Sequence, residues 1–254
     1  MPLLCCGLSD QGLVRKTNQD SILINPLHKC FVVADGMGGH RGGDIASQLT
    51  IQIFADQLAQ LKADDENKVP VLNRSIQLAN KLIFEKSQQE ASLEGMGTTV
   101  TSLLIHNSKA YLANVGDSRI YLINNQKIYQ LTRDHSLVQE KLNLGIYGRE
   151  EAMMDKNKNI LVRTLGFEDS IAIDIFEYSI SKNDLFLLCS DGLYSKVYDD
   201  EILDIINQAI PDPALCTADE IQFVTKKLIQ RANELGGNDN ISVILALAQA
   251  KNAV

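Results

Sequence analysis

Phe31-Val32-Val33-Ala34-Asp35-Gly36-Met37-Gly38-Gly39-His40 is an apolar, β-branched run that stops abruptly on an acid and a Gly-rich turn. The run reads as a buried strand. Its Asp-Gly stop puts a carboxylate at the end of a sheet, and glycine lets the backbone turn tightly beside whatever that acid holds. One copy means little, because Asp-Gly is a common turn dipeptide. The arrangement recurs, however. Leu185-Phe186-Leu187-Leu188-Cys189-Ser190-Asp191-Gly192 is a second strand ending on an acid, and Tyr111-Leu112-Ala113-Asn114-Val115-Gly116-Asp117-Ser118 is a third. Asp20 and Asp239 stand instead where apolar runs begin, ahead of Ser21-Ile22-Leu23-Ile24 and Asn240-Ile241-Ser242-Val243-Ile244-Leu245. In antiparallel sheets the end of one strand lies beside the start of its neighbour, so all these acids can converge on one edge of the fold. Like charges brought together raise each other's pKa unless cations neutralise them. A set of ligands that are all oxygen suits Mg2+ or Mn2+ rather than Zn2+.

Outward from these strands the chain divides into blocks. Strands are expected at 3–9, 21–24 and 31–34, then a helix opening near Asp44 with Ile45, Leu49, Ile53, Leu58 and Leu61 on one face. A second helix is expected over 70–88, with Leu72, Ile76, Ala79 and Ile83 at helical spacing. A four-strand meander follows at about 98–105, 110–115, 119–123 and 127–131, with polar turns at Asn107-Ser108 and Asn124-Asn125. Asp134-His135-Ser136 starts a short helix to about Leu142. Residues 143–160 carry weak periodicity, and strands are expected at 160–163, 172–178 and 185–189. Two late helices run from Asp200 to Ala209 and from a capping box, Thr217-x-x-Glu220, to Gly236-Gly237. The last strand is 241–247. Two early helices, a run of strands and two late helices argue an α+β fold rather than alternating βα units.

Composition narrows the function classes. The chain has 254 residues, 45% of them hydrophobic and 22% charged, with no linker-like break, and reads as one domain. A net charge of −8 argues against nucleic acid as a partner. Five scattered cysteines without a CxxC pair suggest reduced thiols and a cytoplasmic protein. No apolar run reaches the length of a membrane span; the longest, Ile241 to Ala248, is a strand. The chain is read as a monomer without a membrane association.

Arg15, Asn18-Gln19-Asp20, Val33-Ala34-Asp35-Gly36-Met37-Gly38-Gly39, Met96-Gly97-Thr98-Thr99, Val115-Gly116-Asp117-Ser118-Arg119, Ser190-Asp191-Gly192 and Gly237-Asn238-Asp239-Asn240 occur in that order. In this set the chain resembles the bacterial metal-dependent serine/threonine protein phosphatases of type 2C, from about Gly7 to about Leu247. The resemblance implies a four-layer αββα sandwich, with two antiparallel sheets flanked by helix pairs. It implies one domain over 1–254 with a flap at about 136–165. It also implies hydrolysis of phosphoserine and phosphothreonine by a water or hydroxide held between two tightly bound Mg2+ or Mn2+ ions. Asp35 would bridge the ions, the Gly36 carbonyl and Asp20 would complete one, and Asp191 and Asp239 the other. Asp117 with Asp191 matches a weaker third ion. Arg15 matches a phosphate-binding arginine, whose fork grips two oxygens at once. Animal relatives carry a histidine where this chain has Met37, so His40 is the nearest candidate for the general acid, beside a metal-held water. The implied partners are phosphorylated proteins, with a serine/threonine kinase acting on the same targets.

Competing chemistries lack their parts. No Cys is followed by Arg at the spacing of a thiol-phosphatase loop, and there is no P-loop, HExxH or GxSxG. Two alternatives remain: a pseudophosphatase that binds phosphoproteins without turnover, and a hydrolase of small phosphoesters. His28, His106 and His135 lie scattered in turns and read as structural or solvated.

Overall fold

A computed structural model describes residues 2–38, 42–62, 65, 68–148, 151, 155, 157 and 160–249. Its elements are β1 (Leu3–Asp10), β2 (Asp20–Asn25), β3 (Cys30–Met37), α1 (Gly43–Ala59), α2 (Pro70–Gln89), β4 (Gly97–Thr98), β5 (Val100–His106), β6 (Lys109–Val115), β7 (Arg119–Asn124), β8 (Lys127–Gln130), α3 (Leu137–Asn143), β9 (Asp174–Ser179), β10 (Asp184–Cys189), α4 (Asp191–Tyr194), α5 (Asp199–Ala209), α6 (Ala218–Glu234) and β11 (Ile241–Ala248). One sheet has the order β1-β11-β10-β7-β8; the other runs β2-β3-β5-β6-β9, with β4 paired to β3. The pairings are antiparallel throughout.

Strand periodicity builds the layers. In β10, Phe186 and Leu188 point to one face while Leu185, Leu187 and Cys189 point to the other. The first pair joins Phe31, Val33, Leu103, Leu112, Ile120 and Ile244 in a core between the sheets. The second set packs under α5 and α6, against Ile202, Ile206, Val224 and Leu228. On the far side of the other sheet, Cys30, Val32, Val100 and Leu104 pack under α1 and α2, against Phe54, Leu58, Leu72 and Ile76. Central strands are therefore covered on both faces, which is why they read as unbroken apolar runs instead of alternating ones. The result is the expected α+β sandwich of four layers.

Helix positions follow the periodicity with one correction. α6 has its capping box, Thr217 and Glu220 each bonding the other's backbone N–H, and buries Ile221, Val224, Leu228 and Ala232 as expected. α2 starts on Pro70 and buries Leu72, Ile76, Ala79 and Ile83. In α1 the buried face is instead Gly43, Ala46, Ser47, Thr50, Ile53, Phe54 and Leu58. Ile45, Leu49 and Leu61 sit only at its margin. Small residues face the sheet because the helix lies close enough for the Ser47 hydroxyl to donate to the Gln19 carbonyl at 2.6 Å. The expected strand at 160–163 is not one: Leu161 makes a single bridge with Ser136. The four-residue α4, opening at Asp191, and a 3-10 turn at Ala91–Leu93 were not expected. No helix among the described residues is long and apolar enough to cross a membrane.

Candidate active site

Strand register delivers the acids. Asp20 opens β2 and lies directly opposite Asp35 near the end of β3. Cys189, last in β10, pairs with Arg119 on one side and Val243 on the other. That register sets Asp191, just past β10, beside Asp117 ahead of β7 and Asp239 ahead of β11. Asp35, Asp117, Asp191 and Asp239 line one cleft of about 700 Å3, together with Arg15, Lys16 and Gly36. Asp20 sits behind it, buried and within electrostatic reach of Asp35 and Asp239.

Each acid is fixed by its surroundings. The Ser190 hydroxyl donates to Asp20 Oδ2 at 2.7 Å and accepts from the Ser242 N–H at 3.0 Å, so the carboxylate is held from the neighbouring sheet. Thr98 Oγ1 and the Thr99 N–H both donate to the Asp35 carbonyl, at 2.8 and 2.9 Å, while the Asp35 N–H donates to Thr99 Oγ1 at 3.1 Å. Tyr194 donates to the Asp117 carbonyl at 3.0 Å, and its ring lies 3.6 Å from the Arg119 guanidinium, which forks onto Asp134. Gly36 has no room for a side chain: a Cβ there would meet the Gly43 carbonyl at 2.0 Å and the Gln19 carbonyl at 2.6 Å. That closeness brings α1 onto the strand end and leaves the Gly36 backbone at the cleft wall. Gly116, before Asp117, has a φ of 105, which an L side chain rarely adopts.

Crowding is visible in the acid–base behaviour. Burial lifts Asp20 from 3.8 to about 6, although hydrogen bonds from Ser190 and Ser242 oppose the shift. Burial likewise lifts Asp117 to about 6, with Asp134 adding to the rise. Asp35 and Asp191 are raised well above the ordinary carboxylate range, by desolvation first and then by the other acids around them. Asp20 Oδ1 and Asp191 Oδ1 are buried without a hydrogen-bond partner. Buried, partnerless, mutually repelling oxygens are the signature of a place for cations, and an all-oxygen donor set fits Mg2+ or Mn2+. Among the described residues no three His, Cys, Asp or Glu side chains close around a single point. The set therefore suits ions that take few carboxylates each and complete their shells with carbonyl oxygen and water, as these two metals do.

Arg15 lies on the cleft wall, and its guanidinium holds Asp239 Oδ2 at 2.7 Å with about half of its side chain exposed. His40 and Gly39 fall outside the described residues. His135 is buried; its Nδ1 accepts from the Gly116 N–H at 3.1 Å and its Nε2 faces Asp174 at 3.3 Å, a structural role. His28 is buried as well. All five cysteines are unpaired, and burial pushes the Cys30 thiol up to about 12 and the Cys189 thiol higher still, which suits core groups and not thiolate nucleophiles.

Asn240 and Ser190 stand in the quoted motifs without an assigned role. Asn240 is the hub of the arginine arm: its Oδ1 accepts from the Gln19 N–H at 2.8 Å, and its Nδ2 donates to the Gln11 and Thr17 carbonyls at 2.9 and 3.0 Å. Their adjacency to Asp191 and Asp239 was the available signal; Ser190 meets Asp20 across 170 residues and Asn240 meets Gln19 across 221.

Comparison with known proteins gives a consistent picture. Residues 14–214 match the family described as Protein phosphatase 2C. The serine/threonine phosphatase Stp of Listeria welshimeri is 40% identical over 242 residues, covering 93% of this chain and 92% of that protein. The protein phosphatase PhpP of Streptococcus pneumoniae is 37% identical over 97% of this chain and 98% of its own. Among solved structures, the Mycobacterium tuberculosis serine/threonine phosphatase PstP/Ppp superposes with a TM-score of 0.86 at 33% identity, over 98% of this chain and 99% of that one. A PstP catalytic domain in complex with two manganese ions superposes with a TM-score of 0.82 at 32% identity, over 98% and 99% of the two chains.

Proposed function

The chain belongs to the protein phosphatase 2C family, and on that premise we propose how its own residues remove phosphate from serine and threonine in proteins. It is a metal-dependent serine/threonine phosphatase. The observation that carries the reading of the site is the convergence of Asp20, Asp35, Asp117, Asp191 and Asp239 with Arg15 at one end of the two sheets.

In this reading Asp35, Asp191 and Asp239 hold two divalent ions, with the Gly36 carbonyl and Asp20 serving the side nearest β2. Mg2+ and Mn2+ both fit the oxygen donors. When bound, the ions supply Lewis-acid charge that activates water and offsets the charge of the phosphoryl group. The residues do the rest. Thr98 and Thr99 fix the Asp35 backbone, and Ser190 fixes Asp20, so the donors are set before a substrate arrives. Arg15, anchored through Asn240 and seated against Asp239, presents N–H groups to the phosphoryl oxygens. Met37 carries no proton to give the leaving alkoxide. Asp117, beside Asp191 and held by its own carbonyl on Tyr194, is the ligand for a weaker third ion.

Five acids in place argue for turnover over a module that only binds phosphoproteins. Unpaired thiols throughout support a cytoplasmic setting, and a serine/threonine kinase would supply the substrates. The single domain of 1–254 with a flap at about 136–165 is part of the same proposal; several flap residues lie outside the described set. The test is turnover of a phosphothreonine peptide with Mn2+ or Mg2+ added, after chelation, and in Asp35→Asn. Activity with metal only, and none in the variant, is expected. Full activity of metal-free protein would overturn the reading.

A further inference from the structure

The cleft is wider than a phosphoryl group, at about 700 Å3, and its wall is not uniformly polar. Among the described residues three apolar side chains line it: Val14, Met37 and Leu161. None of them belongs to an apolar core of the protein. They come from three separate segments of the chain. Val14 is 61% exposed, yet its backbone is fixed, because the N–H groups of Leu13 and Val14 both donate to the Gly237 carbonyl, at 2.8 and 3.2 Å. Leu161 is fixed in the same way. It pairs with Ser136, while Val162 N–H donates to the His135 carbonyl and Leu137 N–H to the Ile160 carbonyl, each at 2.9 Å.

Single exposed apolar side chains are ordinary, but three that line one cleft give a bound segment apolar surface to cover. The same cleft holds the acids and Arg15, so the partner that reaches them also reaches these walls. Charge sorts the possible sequences. Bound ions would offset the five acids of the site, but the chain's net charge of −8 exceeds those five and still opposes acidic flanks, and among the described residues Lys16 is the basic side chain lining the cleft beside Arg15.

We propose that the cleft selects phosphorylated segments whose residues next to the phosphoserine or phosphothreonine are apolar, with Val14 and Leu161 gripping the flanks from opposite segments and Met37 completing the surface near the phosphate. This rests on the phosphatase reading. Acidic flanks are the disfavoured class.

Three phosphothreonine peptides, identical except for Leu/Val, Ser/Gly or Glu/Asp flanks, distinguish the outcomes. Steady-state kinetics with Mn2+ are compared for the wild type, Val14→Ser, Leu161→Ser and the conservative Val14→Ile and Leu161→Met. In the wild type, kcat/KM for apolar flanks should exceed that for acidic flanks roughly tenfold, the discrimination a single apolar contact gives, and the difference should lie in KM. Each Ser variant should lose most of that ratio, and each conservative variant should keep it. Circular dichroism melting confirms that the variants are folded. Equal kcat/KM across flanks in the wild type would overturn the proposal, as would an unchanged ratio in both Ser variants. Turnover of none of the three peptides by folded, Mn2+-loaded wild type would overturn the phosphatase reading and this one with it.

Discussion

Asp20→Asn should make the metal-free protein more stable while removing a ligand. In the folded chain burial raises this carboxyl from 3.8 to about 6. Its folded pKa is therefore above its unfolded value, and the charged form is the one the fold disfavours. No penalty exists below about pH 4; it grows as the pH rises between the two values, and it is complete above about 6. A rise of that size costs about 3 kcal/mol at pH 7.5, and about half of the cost remains at pH 5. An asparagine keeps the Oδ that accepts from Ser190 and places an amide where Asp35, opposite on β3, can accept from it. In chelator at pH 7.5 the variant should thus melt about 6–12 °C above the wild type, for a chain of this size. The gap should narrow at pH 5. Adding Mn2+ should raise the wild-type melting temperature and move the variant much less, because ligand binding stabilises by mass action. Thermal denaturation by circular dichroism at both pH values, with and without Mn2+, measures all of this. A variant that melts below the wild type in chelator at pH 7.5, or a gap that does not change with pH, would refute the electrostatic account.

Arg15→Ala should raise KM for phosphopeptides more than it lowers kcat, by about 1–3 kcal/mol in kcat/KM for a lost charge-assisted contact; unchanged kinetics would leave Arg15 with Asp239 alone. Asp117→Ala should fold, keep two tightly bound ions by calorimetric titration, and lose most turnover; loss of the tight ions would make Asp117 a ligand of the central pair. Asn240→Ala removes three hydrogen bonds to the 11–19 segment, so it should lower stability by about 2 kcal/mol in urea titration and raise KM in step with a loosened Arg15.

Much of the fold was legible because it rests on local chemistry. The apolar run before Ser190-Asp191-Gly192 marked the end of β10, although β3 runs on through Asp35 and Gly36 to Met37; the Thr217–Glu220 capping box marked a helix start, and the spacing of Leu72, Ile76, Ala79 and Ile83 marked a buried face. The five acids were legible for the same reason, since each sits at a strand boundary that the chain itself announces. Three features were not. The buried face of α1 keeps Ile53 and Leu58 as expected but otherwise turns to Ala46, Ser47 and Thr50, because close packing on β3 favours small residues and contact distance between helix and sheet leaves no mark in hydrophobic spacing. The segment at 160–163 has apolar residues but only one bridging partner, and a strand needs a neighbour as much as a composition. The roles of Ser190, Asn240 and Thr99 depend on partners brought near by strand register: Ser190 meets Asp20 across 170 residues, and Asn240 meets Gln19 across 221. Apolar runs and the acids beside them are local features, so the placing of five carboxylates at or near strand boundaries could be read along the chain. How tightly they crowd, what holds each in place and which apolar walls face them came from the folded chain alone, because those depend on distances between residues that the chain order does not encode.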